Sequence, residues 1–321
     1  MDNNKSKKHQ PVPELSDVVS EIRSDIEAIE QELSFYNETN FIGRAEIIDD
    51  IEFHIVDRID ALLKNHGPVE PVLSLKKNVE EVKARFEKID YSLFQQLRES
   101  IKTGDCRGAA FRKMIEVYIR DCLNSDPVQN KPGYDHLDTF TNRLLPVQTT
   151  PDAVKEREPE MVFYQKTPSR IIFELVEKAD FGKGDVFYDL GSGLGHVAIL
   201  VNLLSGVVTR GVEFEPAYCD YAICCARELN LPDVQFINAD ARVADYSDGT
   251  IFFMYTPFEG RILQDVLERL RLESLRRSIR ILTYGPCTLE VGAQNWLRCE
   301  YTEKNNIYKL GMLTSRTELR R

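Results

Sequence analysis

Apolar residues recur at helical spacing throughout the first third of the chain. One stripe runs from Leu15 to Leu33, a second from Ile48 to Leu62 and a third from Leu75 to Ile101. Gly67 and Pro68 interrupt the pattern between the second and third stripes, and a fourth stripe runs from Phe111 to Cys122. Each stripe gives a helix one apolar face that needs a neighbour. Because the connections are short, we predict an antiparallel α-helical bundle over residues 1–123.

The pattern changes over residues 124–160, where prolines and Gly133 break any long helix. The prolines are Pro127, Pro132, Pro146, Pro151 and Pro159. Long stretches without regular structure are uncommon in compact chains unless they are functional or disordered. We therefore predict a Pro-rich linker or lid, followed by a helix that Thr167 caps and that begins at Pro168.

Short apolar strands alternate with helices in the rest of the chain. The strands are expected at Val186–Asp189, Thr209–Val212, Val234–Ile237, Ile251–Tyr255 and Ser278–Tyr284, and the helices between them at Val197–Leu204, Ala217–Leu229 and Glu259–Ser274. A closing hairpin is expected at Trp296–Glu303 and Ile307–Leu313. Such alternation is typical of a doubly wound α/β sheet. Residues 161–321 are accordingly predicted to form the second domain.

The first strand of this region ends at Asp189 and leads into a glycine-rich turn. Gly191, Gly193 and Gly195 follow before an apolar helix begins. Glycines let the backbone approach a ligand closely, the helix N-terminus offers free N–H groups, and the strand-end carboxylate faces the crevice. This arrangement predicts a nucleotide-like ligand, but the spacing G-x-G-x-G differs from the G-x-G-x-x-G of dinucleotide folds.

The acidic residue followed by G-x-G-x-G resembles motif I of class I S-adenosylmethionine (SAM) methyltransferases. The resemblance implies a seven-stranded, doubly wound Rossmann-like methyltransferase sheet, preceded here by the α-helical domain, with SAM as cofactor. It places Asp189, Gly191, Ser192 and Gly193 at the cofactor, Glu213 on the ribose hydroxyls, and Asp240 with Ala241 near the adenine. The residues Thr256-Pro257-Phe258 resemble motif IV, which faces the departing methyl group.

Within that superfamily, Glu160 to Tyr284 is most similar to the non-SET lysine methyltransferases of the disruptor-of-telomeric-silencing type. Shared features are Tyr164 and Thr167 before the leading helix and the polar His196 after the last glycine. The resemblance implies that these three residues bind the cofactor and that Tyr255 and Phe258 are catalytic residues lining the acceptor channel. Thr256-Pro257 replaces the two asparagines of that family, and Ala241 replaces its phenylalanine near the adenine.

Composition fits a cytoplasmic enzyme. The 321 residues are 42% apolar, without an apolar run long enough for a membrane span or an apolar segment after the polar first ten residues. Seven cysteines without a C-x-x-C pair predict reduced thiols rather than disulfides or a zinc site. The five histidines show no ligand spacing, so no metal is predicted.

Negative charge is concentrated in the first half of the chain. Residues 1–160 carry 22 Lys and Arg against 31 Asp and Glu, whereas residues 161–321 carry 19 against 21. A nucleic-acid partner favours a basic surface, so we predict a protein acceptor of basic character. Nucleic acid or a small molecule remains the alternative acceptor, ordinary solvated helix faces remain an alternative explanation of the charge, and the oligomeric state stays open. A nucleotide-binding oxidoreductase or a non-catalytic scaffold is a further alternative that the glycine spacing and the hairpin disfavour.

Overall fold

The computed structural model describes residues 14–104, 106–124, 133–147, 149–301 and 306–316. Two compact units divide the chain between Leu93 and Phe94, inside the long helix α4 (Glu70–Lys102). The sequence interpretation set the end of the bundle at residue 123. In the structure, α5 (Ala109–Asn124) packs instead on helices of the second unit. The first unit therefore ends before α5 rather than after it.

The first unit is helical, as the apolar stripes predict. Its elements are α1 (Leu15–Gln31), a 3-10 turn at Leu33–Tyr36, α2 (Phe41–Asp50), a π-helical stretch at Ile51–Val56, α3 (Asp57–His66) and the first part of α4. The predicted stripes supply its buried core, which includes Ile22, Ile51, Ile59, Leu75 and Phe86. Helix α3 ends at Gly67, whose φ of 76° is readily adopted by glycine.

The second unit contains one sheet, which has seven strands in the described residues. The strands are β1 (Val186–Leu190), β2 (Val208–Glu213), β3 (Val234–Asn238), β4 (Ile251–Tyr255), β5 (Arg280–Tyr284), β6 (Leu297–Tyr301) and β7 (Gly311–Ser315). Their order is β3-β2-β1-β4-β5-β7-β6. Strands β1 to β5 are parallel, while β7 lies antiparallel between β5 and β6. The predicted seven-stranded methyltransferase-type sheet is confirmed.

Helices cover both faces of the sheet. The remaining helices of the second unit are α6 (His136–Leu144), α7 (Ser169–Lys178), α8 (His196–Ser205), α9 (Pro216–Glu228), α10 (Gly260–Ser274) and α11 (Cys287–Gly292). Tyr188 and Leu190 pack in one apolar cluster with α10. Because successive side chains of a strand point to opposite faces, Phe187 and Asp189 lie on the other face, where α8 contacts β1 and β2. Because β1 to β5 are parallel, their carboxyl ends lie along one edge of the sheet, and Asp189 and Glu213 lie at this edge.

Several predicted boundaries need correction. Helix α7 begins at Ser169 rather than Pro168, and Pro168, not Thr167, occupies the N-cap position. The Ser169 N–H is bound instead by the Oδ1 atom of Asp138, at 2.8 Å. Asp138 belongs to α6, a helix within the predicted linker. The sequence analysis did not predict this helix, because it is short and prolines flank it.

The closing hairpin is confirmed with shorter strands than predicted. Strand β7 begins at Gly311 instead of Ile307 and continues to Ser315, and β6 has a register shift between Cys299 and Tyr301. Asn305, in the predicted connection, lies outside the described residues. None of the helices in the described ranges has the length and apolar character that a membrane span requires.

Removing one partner of a buried ion pair is expected to destabilise the first unit. The Arg44 side chain is fully buried, and its Nε donates to Asp90 at 2.7 Å while other N–H groups bind the carbonyls of Phe35, Asn37 and Glu38. Arg44→Met leaves these acceptors without their donor and should lower the free energy of unfolding by about 3–5 kcal/mol. Urea unfolding of the full chain measures this. Lys76→Met, which removes an exposed pair with Asp60, is the control and should change it little.

Candidate functional site

The glycine turn after β1 is contacted by two other segments at positions that admit no side chain. Gly193 has a φ of 51°, and a Cβ there would lie 2.1 Å from Cε2 of Tyr164. Gly191 has a φ of 75°, and its Cβ would lie 2.3 Å from the Cβ of Pro257. Glycine is required at both positions because the backbone is left-handed and the neighbours are too close. The turn thereby brings Tyr164 and Pro257 to opposite sides of one crevice.

A cavity of about 400 Å³ occupies this crevice at the carboxyl ends of β1 to β4. Its size lies in the range of small-molecule sites. Eleven of the twelve site residues that the sequence predicts line it: Tyr164, Thr167, Asp189, Gly191, Ser192, His196, Glu213, Asp240, Ala241, Tyr255 and Phe258. The twelfth, Gly193, lies behind this lining and donates its N–H to Glu213 at 2.7 Å.

Three buried polar atoms in the cavity wall have no partner among the described residues. They are Oδ2 of Asp189, Oγ of Ser192 and Nδ1 of His196. Buried polar atoms are ordinarily hydrogen-bonded. Three such atoms on adjoining parts of one loop and helix therefore fit a polar ligand with both donors and acceptors.

Burial controls the protonation of this wall. It raises the pKa of Asp189 to about 8, with the neighbouring Glu213 carboxylate adding to the effect. Burial also lowers the pKa of His196 to about 3, and the positive charge of Lys166 contributes, so the imidazole is neutral at pH 7. His196 is only 6% exposed. Its place in the first turn of α8 does not make it a surface residue.

Glu213, at the end of β2, is oriented by backbone groups. It accepts hydrogen bonds from the N–H groups of Gly193 at 2.7 Å and Glu215 at 2.8 Å. Burial nevertheless raises its pKa, because these hydrogen bonds only partly compensate the lost solvation. Tyr164, opposite, packs its ring against Tyr218 with centroids 5.6 Å apart.

Asp240 has a partner that sequence reasoning missed. Arg242, two residues later, donates to both carboxylate oxygens of Asp240 and also to Glu158. Hydrogen bonds from Arg242 lower the pKa of Asp240. The i,i+2 spacing of Asp240 and Arg242 was visible in the sequence, whereas Glu158 lies 84 residues away.

Residues 149–168, which we call the strap, pass over the carboxyl ends of the strands. The Lys155 N–H donates to Glu215 after β2 at 2.8 Å, Glu158 pairs with Arg242 after β3, and the Val162 N–H donates to the Pro257 carbonyl after β4 at 3.0 Å. Most of the strap belongs to the predicted linker or lid. It supplies the wall of the cavity that includes Met161 to Gln165.

The loop after β4 combines backbone strain with aromatic walls. Thr256 has a φ of 41°, which is unusual for a β-branched residue, and its hydroxyl donates to the Tyr284 carbonyl at 3.2 Å. The Tyr255 ring packs on Tyr284 with centroids 4.8 Å apart, and burial raises the pKa of Tyr255 to about 12. Phe258 is 5% exposed and belongs to the apolar core as well as to the cavity wall.

The part of the chain that carries this site matches a known family model. Residues 148–236 match the model described as histone methylation protein DOT1, which covers the strap, the glycine turn and β2. No curated protein is significantly similar in sequence to the chain.

Solved structures of methyltransferases are also similar to parts of the chain. An RNA methyltransferase from Salinibacter ruber, solved with S-adenosylhomocysteine, is 24% identical over 47% of this chain and 92% of its own, with a TM-score of 0.37. A SAM-dependent methyltransferase from Aquifex aeolicus is 16% identical over 46% and 92%, with a TM-score of 0.38. A SAM-dependent methyltransferase from Thiobacillus denitrificans, solved with S-adenosylhomocysteine, is 20% identical over 36% of this chain and 47% of its own, with a TM-score of 0.31. The chain thus spans about half the length of some of its matches.

The strand order, the acidic glycine turn and the matched family model agree on the chemistry. The chain is a SAM-dependent methyltransferase. The polar wall of the cavity fits a cofactor that carries an amino acid and a nucleoside.

Burial of Asp189 should make the stability of the protein depend on pH. Its folded pKa of about 8 lies above the ordinary value near 3.9, so the folded state holds a proton that the unfolded state has lost between these values. Stability from this group therefore falls as pH rises from about 4 to 8. Asp189→Asn has no titrating proton, so its melting temperature relative to the native chain should rise over that range.

Thermal unfolding of the ligand-free protein at pH 5, 6.5 and 8 measures this difference. Asp220→Asn, which removes an exposed carboxylate on α9, is the matched control. A pH-independent difference between Asp189→Asn and the native chain would contradict the raised pKa.

Proposed function

We propose that this enzyme transfers a methyl group from SAM to the side-chain amine of a protein lysine. The observation that carries the proposal is a single cavity lined by polar side chains of the glycine turn, which we call its polar half, and by Tyr255 and Phe258 around the end of β4, which we call its aromatic half. The first half suits the donor and the second suits a long side chain with an amine at its end. The matched family model, described as a histone methylation protein, supports a protein acceptor.

In this proposal the polar half holds the donor. The polar side chains of Asp189, Ser192 and His196 line the side that we assign to its amino-acid group, with Tyr164 and Thr167 on the strap beside them. Glu213 accepts the ribose hydroxyls, since its carboxylate faces the cavity at the strand end. Asp240 and Ala241 border the adenine, and Arg242 holds the Asp240 carboxylate in place. SAM supplies an activated methyl group on a sulfonium.

The aromatic half receives the acceptor. The amine lone pair attacks the methyl carbon, the carbon–sulfur bond breaks, the sulfur keeps the electron pair, and the new ammonium loses its proton to water. Alignment provides much of the rate of such an in-line displacement. The described lining residues of this half, from Tyr255 to Phe258 with Met161 and Val162, include no carboxylate or imidazole. Its walls favour the neutral amine because burial lowers the pKa of a lysine.

The charge distribution supports a basic protein rather than nucleic acid. The excess of carboxylates in residues 1–160 attracts a positively charged partner and repels a polyanion. Nucleic acid is the competing acceptor, and the experiment below separates the two.

Donor binding should depend on Gly193. Gly193→Ala places a Cβ 2.1 Å from the Tyr164 ring at a φ of 51°, so the ring must leave the cavity wall. Calorimetry should show that S-adenosylhomocysteine binds about tenfold more weakly or worse. Gly292→Ala adds the same methyl group where nothing lies within 4 Å and is the control. Equal affinities for the two variants would place the donor elsewhere.

Acceptor transfer should depend on Tyr255. Tyr255→Ala removes an aromatic wall from the acceptor half, so turnover should fall roughly tenfold to hundredfold while S-adenosylhomocysteine affinity changes less than about twofold. Tyr218→Ala, on the donor side of the cavity, should show the reverse: weaker donor binding and little change in turnover at saturating SAM.

Incubation of the enzyme with labelled SAM and a host lysate tests the acceptor class. We expect protease, and not nuclease, to release the label, and amino-acid analysis to find it in methylated lysine. Label that nuclease removes would make nucleic acid the acceptor. Label in another amino acid would retain the protein class and overturn the lysine assignment.

A further inference from the structure

The guanidinium of Arg242 joins the end of β3 to the strap. On one side it donates to Asp240, with Nε 3.0 Å from each carboxylate oxygen and Nη2 2.6 Å from Oδ2. On the other side Nη1 lies 3.1 Å from Oε2 of Glu158, and Nη2 binds Oε1 of the same carboxylate. Two carboxylates thus bind one arginine, and the second contact is a fork-to-fork pair.

Arg242 also occupies the acceptor positions of Asp240. The Arg242 backbone N–H reaches Oδ1 at 2.8 Å in addition to Nε, so that each Asp240 oxygen accepts two N–H groups. A carboxylate has about four lone-pair sites. The chief interaction of Asp240 is therefore with Arg242, and the adenine end of the cavity is bordered by this ion pair.

The strap is fastened at three successive strand ends, and the three attachments differ in kind. After β2 and β4 the strap uses backbone groups: the Lys155 N–H binds Glu215, and the Val162 N–H binds the Pro257 carbonyl. After β3, at Glu158, the attachment is instead a salt bridge between side chains. It lies between the other two along the strap, and Asp240, which Arg242 also binds, lines the cavity.

We propose that Arg242 is a positioning residue that holds the strap over the bound donor and slows its release. The inference rests on the proposed donor role of the cavity. The three side chains remain 23–44% exposed, and partly exposed ion pairs contribute little to global stability. The bridge should therefore influence the local opening of the strap far more than unfolding of the protein.

The dissociation rate of the donor product from the full chain tests the bridge. A fluorescently labelled S-adenosylhomocysteine is bound first and then displaced by excess unlabelled S-adenosylhomocysteine in a stopped-flow instrument. Glu158→Gln should raise the dissociation rate about threefold to tenfold, and Glu158→Asp should restore part of the difference. Glu156→Gln removes the same charge from the same segment, where the exposed Glu156 forms no ion pair with a described residue, and should leave the rate unchanged. The melting temperature should be similar for all four proteins.

The dependence of the dissociation rate on ionic strength distinguishes the charged bridge from a purely structural role of these residues. Raising the salt concentration from 0.05 to about 0.5 M shortens the Debye length well below 10 Å and should accelerate dissociation from the native chain, but much less from Glu158→Gln. Equal salt dependence of the two proteins, or an unchanged rate in Glu158→Gln, would overturn the proposal.

Limited trypsin digestion provides a second measurement without kinetics. The strap contains cleavable bonds after Lys155 and Arg157, so S-adenosylhomocysteine should protect them in the native chain and protect them less in Glu158→Gln. Equal protection in both proteins would also overturn the role of Arg242. If the ligand fails to bind the native chain at all, the proposed donor site is wrong, and that result is distinct from either failure of the bridge.

Discussion

The absence of side chains on the turn after β1 is the constraint on which the site depends. At Gly191 and Gly193 a single Cβ would overlap Pro257 and Tyr164, which come from the loop after β4 and from the strap. These segments are far apart in the sequence, and both approach the turn closely because it is bare backbone. The cavity walls are therefore defined by what the glycines permit, and a methyl group there would move a wall rather than merely fill space.

Carboxylates at the strand ends impose an energetic cost that the rest of the fold compensates. Asp189 and Glu213 are both nearly buried and each carries a raised pKa, because burial penalises their charged forms. Glu213 receives backbone N–H groups from the turn and from Glu215, whereas Oδ2 of Asp189 has no partner in the described protein. Together with Ser192 and His196, Asp189 gives this wall three buried polar atoms without a partner in the described protein. Such groups are costly in a core and are characteristic of functional sites.

Sequence pattern predicted the parts of the molecule that local rules determine. The alternation of strands and helices and the stripes of the first unit follow from side-chain periodicity, and the position of the cavity follows from the glycine turn and the acidic strand ends. Eleven of the predicted site residues line one cavity because parallel strands bring their carboxyl ends to one edge.

The remaining features depend on contacts between distant residues. Asp138 caps α7 from a helix 31 residues earlier, and Glu158 binds Arg242 across 84 residues. Neither contact has a periodic signal in the sequence. Thr167 was assigned the cap because Thr-Pro is a typical helix start, but a carboxylate from α6 is the stronger acceptor for the first N–H group. Phe258 likewise belongs to both core and cavity, which local pattern alone does not distinguish.

The strap connects the two halves of the site. Its middle part pairs with Arg242 beside the donor half, and four residues later its backbone bonds to Pro257 beside the acceptor half. Glu160, between these attachments, accepts the N–H of Ile262 at 2.9 Å and so also fixes the start of α10. We therefore expect a displacement of the strap at Glu158 to move Met161 and Val162, which line the proposed acceptor half of the cavity. In the proposed enzyme, retention of the donor and access of the lysine consequently depend on the same segment. A substitution at Glu158 should therefore alter methyl transfer, and a substitution at Val162 should alter donor release.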